Sequence, residues 1–353
     1  MILTVILTVG CRAAGAETDF GAGDVPGSLP DAARESVEGW DIMDAEDLGG
    51  GVRSIVEKSF GQSEGSIKAS LGLCLSVFAV TVLAAVVRSS GAEQAETAME
   101  LAGVLAISMI LYGQISGFFT QMTRTVDEMA VFSGALFPAM ASAAAASGRI
   151  GTSTALLGIT TAVCGAMSRG LELIFLPAIS CYMALMTANY AVGDESLKML
   201  GDMLKQLITT ALKFVVIGFT AYLSLTGVIS GSVDSASIRA AKLTISTAVP
   251  VVGSMIADAS ETLLVSAGMI RGSLGILGLL GVLAVSIGPF IETGCSYLML
   301  KCTAAATAAT GEKRLSGLVS TMAGAVGLIT AVTGVCTLLV MIGCVCFLRG
   351  AVA

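Results

Sequence analysis

The chain has 353 residues, 55% hydrophobic and 13% charged, about half the charged fraction of an ordinary soluble domain, where roughly 25% is usual. It contains no histidine, which removes the commonest metal ligand and the base of Ser-His-Asp and Cys-His catalysis. The net charge of −7 disfavours nucleic acid as a partner. Residues 1–16 read as a signal peptide, because Ile2 to Val9 is apolar and Ala14-Gly15-Ala16 is the small-x-small triplet of a cleavage site, although no Lys or Arg precedes the run. Residues 17–67 form an acidic polar segment whose export this leader implies. Between Glu17 and Glu64 lie 12 of the 26 acidic residues, against Arg34, Arg53 and Lys58. Trp40, between Gly39 and Asp41, is better suited to docking this segment on a membrane surface or a partner than to holding a ligand.

Residues 68–353 form the membrane domain, because their apolar residues fall in runs of about twenty, the length at which a helix crosses a bilayer. The runs are Ala69 to Val87, Leu101 to Phe119, Met129 to Ser147, Ile150 to Ser168, Leu171 to Val192, Phe214 to Ser232, Ser273 to Ile291, and one within Leu315 to Leu348. The third and fourth read as a tight hairpin. The last is too long for one straight span and predicts a tilted or broken helix. The expected fold is all-α, a polytopic transmembrane helix bundle of six to eight spans.

Two segments are helical by pattern but too polar to cross unaided. Lys198, Asp202, Lys205, Thr209 and Lys213 share one helix face, which predicts an amphipathic, interfacial helix leading into the sixth span. Leu243 to Ala257 is uncharged for only 15 residues and is interrupted by Pro250 and Gly253, a pattern for a broken or re-entrant helix packed inside protein. The positive-inside rule does not choose an orientation here. With the N-terminus outside and eight crossings, inner loops hold eight basic residues against six outside.

Small-residue faces at Ser142 to Ser147, at Gly275, Gly278 and Gly281, and at Gly327, Ala331 and Gly334 favour close helix packing, within one chain or in a homo-oligomer. Most of the nine cysteines lie inside apolar runs and read as small buried hydrophobes. Cys344 and Cys346 point to different helix faces, so they do not form a metal site. No catalytic residue, cofactor motif or metal spacing is found: there is no Gly-Lys-Ser/Thr loop and no Gly-x-Ser-x-Gly elbow.

Carboxylates in or beside apolar runs are the candidate functional groups, because a charge in lipid requires a partner or a pathway. Asp258 and Glu261, one turn apart, could share a proton or bind a cation, with Lys242 and Arg271 as alternative partners. Glu172, Asn189 and Glu292 are further polar positions; carboxylates at headgroup level would be cheap and need no function.

The stretch from Arg239 to Thr262, RAAKLTISTAVPVVGSMIADASET, resembles the signature region of the stage III sporulation protein AE family of endospore-forming bacteria. The resemblance rests on Arg239 and Lys242, on Val249-Pro250-Val251-Val252-Gly253, and on Asp258 with Glu261. It implies a non-enzymatic membrane subunit of the channel-like, secretion-type complex between mother cell and forespore, needed for late forespore development. It also implies residence in the mother-cell-derived outer forespore membrane. The implied partners are the other membrane and ring-forming proteins of the same operon, a secretion-type ATPase, the stage II sporulation protein Q complex and membrane lipid. The alternative is a secondary transporter with a polar site at the broken helix near Pro250, Asp258 and Glu261, since transporters place substrate at discontinuous helices.

Overall fold

In lipid every backbone polar group must be satisfied within the protein, and a single apolar segment does this as a helix. The computed structural model describes residues 48–89, 93–146, 153–225 and 273–350. These form six α-helices and no strand: α1 (Leu48–Ser89), α2 (Glu93–Ala146), α3 (Ser153–Val192), α4 (Glu195–Leu225), α5 (Ser273–Ala309) and α6 (Lys313–Gly350). All six are long and apolar enough to cross a membrane. The signal peptide, Trp40 and the stretch from Arg239 to Thr262 lie outside the described residues.

Successive helices alternate in direction. The α3–α4 and α5–α6 turns therefore share one end of the bundle with the end of α1 and the start of α2. Each of the two turns is made by a glycine at positive φ, Gly193 at 82° and Gly311 at 86°, where a Cβ would be strained. Gly193 N–H donates to Asn189 O at 2.7 Å, closing α3 in the manner of a left-handed cap. Asp194 then opens α4, its Oδ1 accepting from Ser196 N at 2.8 Å.

The helices are longer than the runs predict. Leu101 to Phe119 and Met129 to Ala146 are one 54-residue helix, α2. The segment from Ser153 to Ser168 and the run Leu171 to Val192 are likewise one helix, α3. Arg124 and Arg169, which follow uncharged runs in the sequence, sit in mid-helix. Arg124 Nε pairs with Glu128 Oε1 at 2.7 Å, one turn on, and such i,i+4 pairs support a helix rather than stop it. The helices also continue through Pro138, Pro177 and Pro289. The amphipathic stretch from Lys198 to Lys213 is no separate interfacial helix but the first half of the spanning α4. The seventh run continues past Ile291 to Ala309, and the last helix is unbroken.

Helix α6 is the centre of the bundle. It packs on α5, α3, α2 and α4, while α1 packs on α5 and α2. Of its apolar window 83% is buried, against 17% for α4 at the periphery. The reason lies in its glycines. A Cβ on Gly317 would stand 2.7 Å from the Tyr190 ring of α3, one on Gly327 3.0 Å from the Tyr297 ring of α5, and one on Gly343 3.0 Å from the Phe137 ring of α2. Aromatic side chains of three helices thus seat in notches of α6, the close approach that replaces hydrophobic drive between helices in lipid. Gly278 of α5 takes Leu136 of α2 in the same way. The small faces at Gly278 and Gly327 are therefore filled within one chain. The outside carries Leu75, Leu83, Met109, Met203, Phe214 and Leu298, all exposed, as a lipid-facing surface requires.

Candidate functional site

Polar groups inside the bundle gather in two places. The first is a ladder between α1, α2 and α5. Gln114 and Gln121, seven residues apart on α2, face Ser296 and Glu292, four apart on α5. Ser70 Oγ of α1 lies 2.8 Å from Ser296 Oγ and accepts from Gln114 Nε2 at 2.7 Å. Ser70 and Ser296 are buried, at 4% and 2% exposure. Gln114 Oε1 is buried and finds no donor among the described residues. Gln121 Nε2 donates to Glu292 Oε2. Removed from water, each such group depends on its partner, so the ladder fixes the register of three helices.

The second is a pair of arginine clamps at the turn end. Arg88, closing α1, donates from Nη1 to Gly311 O at 3.2 Å and from Nη2 to Thr310 O at 3.4 Å. Its Nη1 also lies 3.2 Å from Glu312 Oε1. Arg314, in the first turn of α6, donates from Nε to Tyr190 O at 2.6 Å, from Nη2 to Ala191 O at 2.9 Å and from Nη1 to Glu100 Oε2 at 3.0 Å. A planar guanidinium with five donors suits this work, because the last carbonyls of a helix lack intrahelical partners. The two clamps join α1, α2, α3 and α6 at one level.

The positions singled out by sequence fall into three groups. Arg239, Lys242, Pro250, Gly253, Asp258 and Glu261 lie outside the described residues. Glu292 belongs to the ladder. Asn189 is buried at 8% exposure, its carbonyl capping α3 beside the clamped Tyr190. Glu172 is half-buried on α3 and close enough to Cys336 of α6 to act on it electrostatically. The structure does not bring these three together. Sequence reasoning missed the clamp residues Arg88, Glu100 and Arg314, which only flank its uncharged runs, together with Glu312 and the glutamines of α2. Two glutamines seven apart across an apolar run were the available signal.

No disulfide joins the seven cysteines whose side chains are described; Cys74, Cys164, Cys336 and Cys344 are buried, while Cys181 and Cys302 are exposed. Among the described residues no three of the Cys, Asp or Glu side chains converge to hold a metal ion. The chemistry of both polar places is hydrogen bonding and charge pairing between helices.

A family profile described as Stage III sporulation protein AE matches residues 41–349. The Stage III sporulation protein AE of Bacillus subtilis (strain 168) is 27% identical over 135 residues, 38% of this chain and 33% of that protein. The match therefore spans a third of the length of that curated relative. No solved structure matches the chain.

Proposed function

Because the chain belongs to the stage III sporulation protein AE family, we propose that it is a non-enzymatic subunit of the channel-like, secretion-type complex joining mother cell and forespore. The observation that carries this reading is the family match over residues 41–349, which takes in all of the six-helix bundle but its last residue. The bundle suits the role. Its outer surface is apolar, and its ladder and clamps tie helices to one another. In this reading the protein resides in the mother-cell-derived outer forespore membrane. It works there with the other membrane and ring-forming products of its operon, the secretion-type ATPase and the stage II sporulation protein Q complex. The test is deletion of the gene in the native host. Forespores should complete engulfment and then arrest, with late forespore genes silent. Spores formed at normal frequency would refute the proposal.

A further inference from the structure

Two lysines meet on α6 at membrane depth. Lys301 of α5 lies eight residues before the end of its helix and Lys205 of α4 ten residues after the start of its own. At 1.5 Å per residue both sit about 12–15 Å below the turn end. Lys301 Nζ donates to Ser320 O at 3.2 Å and to Ser320 Oγ at 3.0 Å, and it stands 5.9 Å from the centroid of the Tyr297 ring. Lys205 Nζ lies 3.7 Å from the point a Cβ would occupy on Gly324, and the Tyr182 hydroxyl lies 3.6 Å from that same point. Ser320 and Gly324 are one turn apart on α6, so the two ammonium groups are neighbours along one face of that helix. They are close enough for Lys205 to act on Lys301 electrostatically.

Neither ammonium has a carboxylate within ion-pair distance among the described residues. Asp202, three residues before Lys205 on the same face, is exposed and pairs with neither, although it is close enough to the Tyr182 hydroxyl to act on it electrostatically. Lys205 directs its three donors to no acceptor there, and the Tyr182 hydroxyl makes no hydrogen bond there. Two like charges held together in low dielectric, with donors unspent beside a helix that lacks a Cβ, are an arrangement completed by an anion. Lys205, Lys301 and Gly324 are all half-buried, and α4 and α5 flank α6 without packing extensively on each other, which leaves the place open.

We infer that Lys205, Lys301 and the Tyr182 hydroxyl form a binding site for a phosphate group. Phosphate supplies several acceptor oxygens and up to two negative charges for two lysines. It would come as free inorganic phosphate or as the headgroup of an anionic phospholipid. This site is independent of the sporulation reading and is tested without it.

The test uses the purified full chain in detergent. In one arm radiolabelled inorganic phosphate is titrated by equilibrium dialysis. In the other, native mass spectrometry compares retained phosphatidylglycerol with phosphatidylcholine. Lys205→Gln should weaken binding about tenfold or more, as loss of a charge-assisted hydrogen bond does, and Lys205→Arg should keep it. Because Lys205 makes no hydrogen bond to the fold, circular dichroism and elution volume should be unchanged in both variants. Phosphate binding lost in Lys205→Gln supports a free anion, and selective loss of phosphatidylglycerol supports a lipid headgroup. If neither ligand binds better to the wild type than to Lys205→Gln, the site does not exist.

Discussion

Arg88 Nη1 stands 3.2 Å from Glu312 Oε1 across 224 positions of sequence, at a carboxylate whose residue is 1% exposed. The contact is at ion-pair distance but not at a hydrogen-bonding angle, since Glu312 Oε1 has no hydrogen-bond partner. The Arg88 side chain keeps 37% of its surface. The two partners are therefore not equivalent. Arg88→Ala strands a buried carboxylate and frees two carbonyls, and should cost about 3 kcal/mol of stability. Glu312→Gln leaves an arginine that can turn to water and should cost about 1 kcal/mol. Thermal unfolding of the two variants in detergent measures the difference, and equal losses would show that the pair does not hold the turn as described.

The glycine notches of α6 make a steric prediction with an internal control. Gly317→Ala puts a methyl 2.7 Å from the Tyr190 ring and should destabilise by about 1–3 kcal/mol. Gly113→Ala and Gly218→Ala meet nothing within 4 Å and should be neutral or stabilising by up to about 1 kcal/mol. Melting temperatures should order the variants accordingly.

Thiol accessibility reads out the packing. Cys181 and Cys302 are exposed and Cys74, Cys164, Cys336 and Cys344 buried, so a membrane-permeant maleimide should modify the first two and reach the other four only after unfolding. Peptide mapping by mass spectrometry identifies the modified sites. Modification of Cys336 in the native state would contradict its place between α3 and α6.

Helix direction makes an orientation prediction that the linear sequence does not. Leaving aside Lys205 and Lys301 at membrane depth, among the described residues Arg88, Lys198, Lys313 and Arg314 lie toward the turn end, and Arg53, Lys58, Lys68, Arg124, Arg169, Lys213 and Arg349 toward the other. The positive-inside rule then puts the turn end outside and the start of α1 at the cytoplasmic face. This is opposite to the orientation that export of residues 17–67 would impose if α1 is the first crossing. Ser196→Cys, exposed in the first turn of α4, should react with an impermeant maleimide in intact, non-sporulating cells that carry the protein in their plasma membrane. Reaction only after permeabilisation would restore the exported arm.

That the chain forms a membrane bundle of six to eight spans was legible because hydropathy alone decides which segments enter lipid. Their joins were not. Arg124 and Arg169 resemble loop residues in a list of charges, yet a helix stops where the backbone turns, at Gly193 and Gly311, and charge by itself does not turn a chain. Glu292 was legible as a carboxylate beside an apolar run. Its partner Gln121 lies 171 positions away, and no local pattern links the two.

The sequence by itself determined that this protein is a bundle of membrane helices without histidine chemistry, since composition and run length fix the solvent and the secondary structure. The tertiary structure decided that α6 is the hub, that Arg88 and Arg314 are clamps rather than boundaries, and that Lys205 and Lys301 share one face. These relationships depend on which notch of one helix receives which side chain of another. That is a property of packing, set only once all six helices are in place.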